Sequence, residues 1–119
     1  MRNIRSISQT QLKSELLESM ESLFAGNTNK LLLETLHAKF PSLSFALIIN
    51  WIPEQGEDIY WVLLSNEEIA VLEVPRLIGA KVGDVIVVSM SRHEYAKRNL
   101  SLESRRKFEA ALELMQTIR

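Results

Sequence analysis

The stretch Ser44-Phe-Ala-Leu-Ile-Ile-Asn-Trp-Ile-Pro53-Glu-Gln-Gly-Glu-Asp58-Ile-Tyr-Trp-Val-Leu-Leu-Ser65-Asn-Glu-Glu-Ile69-Ala-Val-Leu-Glu-Val-Pro75, with its sequel Val85-Ile-Val-Val-Ser-Met90, decides the fold. Its apolar runs, 45–52, 59–65, 69–74 and 85–90, have strand length and are rich in branched and aromatic residues. Turn chemistry separates them. Pro53-Glu54-Gln55-Gly56-Glu57 joins the first two runs, proline presetting one dihedral and glycine accepting a positive φ. Ser65-Asn66-Glu67-Glu68 is a second tight turn. Pro75, which lacks the amide a central ladder needs, closes the third run. The spacing predicts a four-stranded antiparallel sheet.

Strand periodicity sends Phe45, Leu47, Ile49 and Trp51 to one side and Ala46, Ile48, Asn50 and Ile52 to the other. Tyr60, Val62 and Leu64 likewise oppose Ile59, Trp61 and Leu63, and Val85-Ile-Val-Val88 is branched throughout. Polar alternation is absent, which predicts a sheet covered on both faces. A face left without a helix would become an interface, so a homodimer through a sheet face, or a bound protein, is left open.

Outward from this core, Leu12, Leu16, Met20, Leu23 and Phe24 recur at helical spacing, with Ser8 or Thr10 as cap and Gly26 as stop. Asn27-Thr28-Asn29 starts a second helix carrying Leu31, Leu32, Leu33 and Leu36, which Phe40-Pro41 ends near Lys39. The short connection favours a helical hairpin. His37, with only Glu34 one turn earlier, reads as a structural residue. After the sheet, Ser101 caps a last helix over 102–118, whose packing face is Leu102, Phe108, Ala111, Leu112, Met115 and Ile118. The predicted architecture is a single α+β domain. Its four-stranded antiparallel sheet carries an N-terminal helical hairpin and a C-terminal helix packed on it.

With 119 residues the chain can bury an ordinary core, and the lack of cysteine removes disulfides, thiol chemistry and cysteine-based zinc sites. No segment is long and apolar enough to span a membrane, and Met1-Arg-Asn-Ile-Arg-Ser6 lacks the apolar core of a secretory signal. A cytoplasmic protein is expected. The net charge of −1 gives no global pull toward nucleic acid, but charge is unevenly spread. Glu54, Glu57, Asp58, Glu67, Glu68, Glu73 and Asp84 dominate the sheet region, against Arg76 and Lys81. Arg92, Lys97, Arg98, Arg105, Arg106 and Lys107 dominate the segment between the sheet and the middle of the last helix.

Motifs for chemistry are scarce. The loop 76–84 lacks phosphate-cradling glycine spacing, so no nucleotide or other cofactor is expected, and no metal-ligand spacing occurs. His93-Glu94-Tyr95 gathers a histidine, a carboxylate and a phenol. Adjacent helical residues diverge by about 100°, however, which argues against convergence on one substrate atom and leaves an enzyme centred on His93 and Glu94 as the weakest reading. No catalytic residues are assigned, and the chain is read as a non-enzymatic binding domain. Arg92, Lys97, Arg98, Arg105 and Arg106 form the alternative, a surface for phosphate or nucleic acid, because arginine forks suit bidentate anions. Ordinary solvated charge paired with sheet carboxylates is the plainer reading of them.

The segment Gln55-Gly56-Glu57-Asp58-Ile59-Tyr60-Trp61, the stretch 69–76, Glu94-Tyr95 and the last helix, in a small cysteine-free α+β layout, resemble immunity proteins of bacterial toxin–immunity pairs. The contact-dependent growth inhibition type is the nearest likeness. That resemblance implies a cytoplasmic protein that neutralises one cognate toxin, often a nuclease, by covering its active site; it lends no catalytic residues. Glu54, Gln55, Glu57 and Asp58 would then stand in for nucleic-acid phosphates against toxin lysines, with Trp61, Glu67 and Glu68 completing the partner-binding set. Inhibitors of basic nucleases are generally more acidic than this chain, although a local acidic patch can steer association as well. Read without the resemblance, these are polar turn residues of the kind loops commonly carry.

Overall fold

The computed structural model describes residues 8–118, so the Met1–Ser6 reading lies outside the described residues, as does the side chain of Ile118. The elements run α1 (Gln9–Phe24), α2 (Lys30–Lys39), β1 (Leu47–Glu54), β2 (Glu57–Leu63), β3 (Glu68–Pro75), a single 3-10 turn (Val82–Asp84), β4 (Ile86–Ser91), α3 (Arg92–Ala96) and α4 (Leu102–Ile118). The four strands form one antiparallel sheet in sequence order. This is the α+β architecture that the apolar runs predict.

Local chemistry sets the ends. Ser8 Oγ accepts the Gln11 amide and caps α1, and Gly26, at φ 83°, lets the chain leave the helix. Asn29 Oδ1 accepts the Leu32 amide to start α2. The β1–β2 connection is tighter than expected. Only Gln55 and Gly56 form the turn, with Glu54 and Glu57 already paired across it and Gly56 at φ 84°.

Two apolar layers sandwich the sheet. On the first face Leu47, Ile49, Trp61, Leu63 and Ile69 meet Leu12 and Leu16 of α1, Tyr95 of α3 and Phe108, Ala111, Leu114 and Met115 of α4. On the second, Ile48, Tyr60, Val62, Ala70, Leu72 and Val74 meet Leu32 and Leu36 of α2. Helix α1 packs along β1 and supplies Leu23 to this second layer as well. The two N-terminal helices thus divide between layers and barely touch along their lengths. They meet where the Phe24 ring lies 6.1 Å from the exposed His37 imidazole.

Leu102, expected on the packing face of the last helix, is 75% exposed, and two expectations about the sheet need correction. The first concerns β1, where strict alternation fails: Ile48 pairs with Val62, but Asn50, not Ile49, pairs with Trp61. The extra residue is a β-bulge, which leaves Ile49 and Asn50 on the same face and reverses everything beyond them. Trp51 therefore lies opposite Tyr60 on the second face, not beside Leu47, and Ile52 returns to the first. The second concerns coverage. The helices cover the first face only in part, and towards β4 the side chains of Ile86 and Val88 remain 55% and 52% exposed. Branched composition alone did not mark a buried strand, because β4 is an edge.

Candidate functional site

The bulge aims the largest exposed aromatic. Trp51 is 53% exposed, and its ring stacks on the buried Tyr60 ring at 6.5 Å with an interplanar angle of 20°. Asn50 Oδ1 accepts the Trp51 amide at 2.9 Å, fixing the backbone at the kink. The indole Nε1–H donates to Asp58 Oδ1 at 3.1 Å. Arg76 grips the same carboxylate with two bonds, Nε to Oδ2 at 3.0 Å and a terminal nitrogen to Oδ1 at 3.1 Å. The Arg76 amide also donates to the Gly56 carbonyl, which ties the end of β3 to the hairpin turn.

Hydrogen bonds from Arg76 hold the Asp58 carboxyl below its ordinary range; partial burial opposes this, and the Trp51 bond reinforces it. Burial raises the Tyr60 hydroxyl, against a hydrogen bond from Asn29 that pulls it down. A charged, bidentate anchor thus holds an indole whose face stays open to solvent. The ring borders a 290 Å³ cleft lined by Ser19, Thr28, Ile48, Tyr60 and Lys107. Glu54 and Gln55 lie exposed at the hairpin tip, with Glu57 partly so.

The other predicted site residues disperse. Trp61 is 6% exposed and belongs to the first core, with the Arg98 guanidinium 5.6 Å above its ring. It offers no surface to a partner. Glu67 sits in the β2–β3 turn and Glu68 opens β3, at the end of the sheet opposite Glu54 and Glu57, so the carboxylates form two groups. Asp58 is already matched by Arg76 and is 13% exposed, which removes it from the phosphate-like set. Trp51 was missed because unbroken alternation placed it inward. The polar Asn50 within an apolar run was the one signal that could have shown otherwise.

The basic residues do not gather into one cradle. Arg92 borders a shallow hollow with Glu67, His93 and Ala96 beside the β2–β3 turn. Arg98 covers Trp61, Lys97 and Arg105 are exposed, and Arg106 is half-buried on α4. Glu94 caps α3 by accepting the Ser91 amide, while Tyr95 packs edge-on against Phe108 at 4.7 Å inside the core. The His93, Glu94 and Tyr95 side chains accordingly face different surroundings. Among the described residues no group of histidines and carboxylates could hold a metal. No helix among them is long and apolar enough to cross a membrane.

Compared with known proteins, the chain matches no family model, no curated protein and no solved structure.

Proposed function

We propose that this chain is a non-enzymatic protein-binding domain that docks on a basic partner through its β1–β2 hairpin. One observation carries the reading: a half-exposed tryptophan held by an aspartate–arginine clamp near a hairpin tip where Glu54 is exposed and Glu57 partly so. Interface energy concentrates in such anchors, because a large ring already fixed in place loses little freedom on binding. Trp51, on the second face, supplies the apolar centre. Glu54 and Glu57 supply a charged rim that steers a basic surface towards it.

In its specific form, suggested by the likeness in layout, the partner is a cognate bacterial toxin, such as a nuclease whose basic active site the hairpin covers. The test is co-purification from the native host using wild type and a Trp51→Ala/Glu54→Lys/Glu57→Lys variant. The reading requires a basic protein recovered by the first and lost by the second. Co-expression should then suppress that protein's toxicity. A partner that holds both equally well would place the interface elsewhere.

The phosphate-binding alternative has less support, since Arg92, Arg98 and Arg105 serve separate surroundings rather than one anion.

A further inference from the structure

The sheet has two edges, and they are treated differently. Strand β1 is flanked by α1, broken by the Ile49–Asn50 bulge, and carries Pro53 and Glu54, all features that discourage a further strand. Strand β4, Ile86-Val-Val-Ser-Met-Ser91, has none of these: no charge, no proline, no bulge.

Its backbone is also in phase for pairing. The Arg92 amide donates to the Glu67 carbonyl, so Arg92 is bonded inward, towards β3. Bonding alternates along an antiparallel ladder, so Met90, Val88 and Ile86 also bond inward while Ser91, Ser89 and Val87 turn theirs outward. These outward amides and carbonyls call for another strand. On the first face the same edge presents the half-exposed Ile86 and Val88.

We propose that β4 pairs antiparallel with β4 of a second copy about a two-fold axis at Val88, joining two sheets into one of eight strands. The chain's own flanking charges select this occupant and register. With Val88 opposite its symmetry mate, Val87 pairs with Ser89 and Ile86 with Met90. Beyond the strand ends, Asp84, which closes the 3-10 turn two residues before Ile86 and whose carboxylate also accepts the Lys81 amide, comes level with Arg92 of the other copy, one residue past Ser91, so opposite charges meet twice. Shifting the register by one pair of residues loses both matches. Because the charge-free strand spans roughly 20 Å, no like charges face each other along it. The contact is isologous and closes on itself. It rests on the β4 edge alone and leaves the β1–β2 hairpin, across the sheet, free in both copies.

Sedimentation of the full chain from about 1 to about 200 µM tests this. Wild type should pass from monomer to dimer over that range. Val88→Lys, which sets two ammonium groups on the axis, should remain monomeric with unchanged circular dichroism, since position 88 is exposed. Arg92→Glu should weaken the dimer by about tenfold. Under mild oxidation Val88→Cys should give a disulfide-linked dimer, since directly opposed residues in a pair without hydrogen bonds lie within bridging distance. Val87→Cys should not. A wild type that stays monomeric throughout overturns the proposal, as does a Val88→Lys protein that dimerises like wild type. Cross-linking through Val87→Cys as readily as through Val88→Cys overturns the register and the axis.

Discussion

Trp51 donates its indole hydrogen to Asp58 across the β1–β2 hairpin at 3.1 Å, so the most prominent exposed ring is positioned by a carboxylate that is itself clamped by Arg76. Ring and clamp separate in mutagenesis. Trp51→Ala should abolish partner capture while leaving the fold intact. Asp58→Asn should weaken capture by about tenfold, through a looser ring rather than lost contact area. Titration of a recovered partner against both variants checks the order.

Acid should act on the same clamp. The Asp58 carboxyl titrates lower in the folded chain than in the unfolded one, so its stabilisation is complete above the unfolded value of about 3.9 and is lost as pH falls through the folded value. Thermal melts of wild type and Asp58→Asn should differ by about 2–5 °C near neutrality, and the gap should close below about pH 4.

The alkaline limb has the opposite sign. Burial raises both Tyr60 and Tyr95, so the folded state keeps their protons longer than the unfolded chain does. Stability should hold below about pH 10 and fall as pH climbs through the raised values. Tyr95→Phe should flatten that fall. It should also be nearly neutral at pH 7, because Tyr95 Oη is buried with no well-formed hydrogen bond to lose. Denaturant melts at about pH 7 and about pH 10.5 test both statements.

Arg98 caps the Trp61 ring, and fluorescence can report it. In a Trp51→Phe background, where Trp61 is the remaining indole, Arg98→Ala should shift emission to the red as water reaches the ring. Trp61→Phe should destabilise by less than about 1.5 kcal/mol, since the lost ring area is offset by removal of a buried Nε1–H without a partner.

Much of this fold was legible in the residues, for identifiable reasons. Ser8, Gly26 and Asn29 act within their own helix ends, so local chemistry was enough to place them. The strands were legible because Gly56 and Pro75 punctuate branched runs, although Pro53, read as part of the turn, lies inside β1 opposite Asp58. What one residue could not disclose was its effect on those after it. Asn50 bonds the next amide and helps seat the bulge, and that one displacement re-aims Trp51 and Ile52. Nor did the hairpin carboxylates reveal their uses. Asp58 is separated from Arg76 by a whole strand, and only the β2–β3 register, pairing Asp58 with Val74, brings the two within reach. The exposure of Ile86 and Val88 depended on where α4 stops covering the sheet, which is a matter of tertiary docking.

Helix α1 sends Leu12 and Leu16 to one core and Leu23 to the other. A single rod keyed into both sides acts as a pin: neither side can loosen without pulling on it. The molecule should therefore melt in one step, and hydrogen exchange deep in α2 and α4 should share a common opening energy despite the sheet between them.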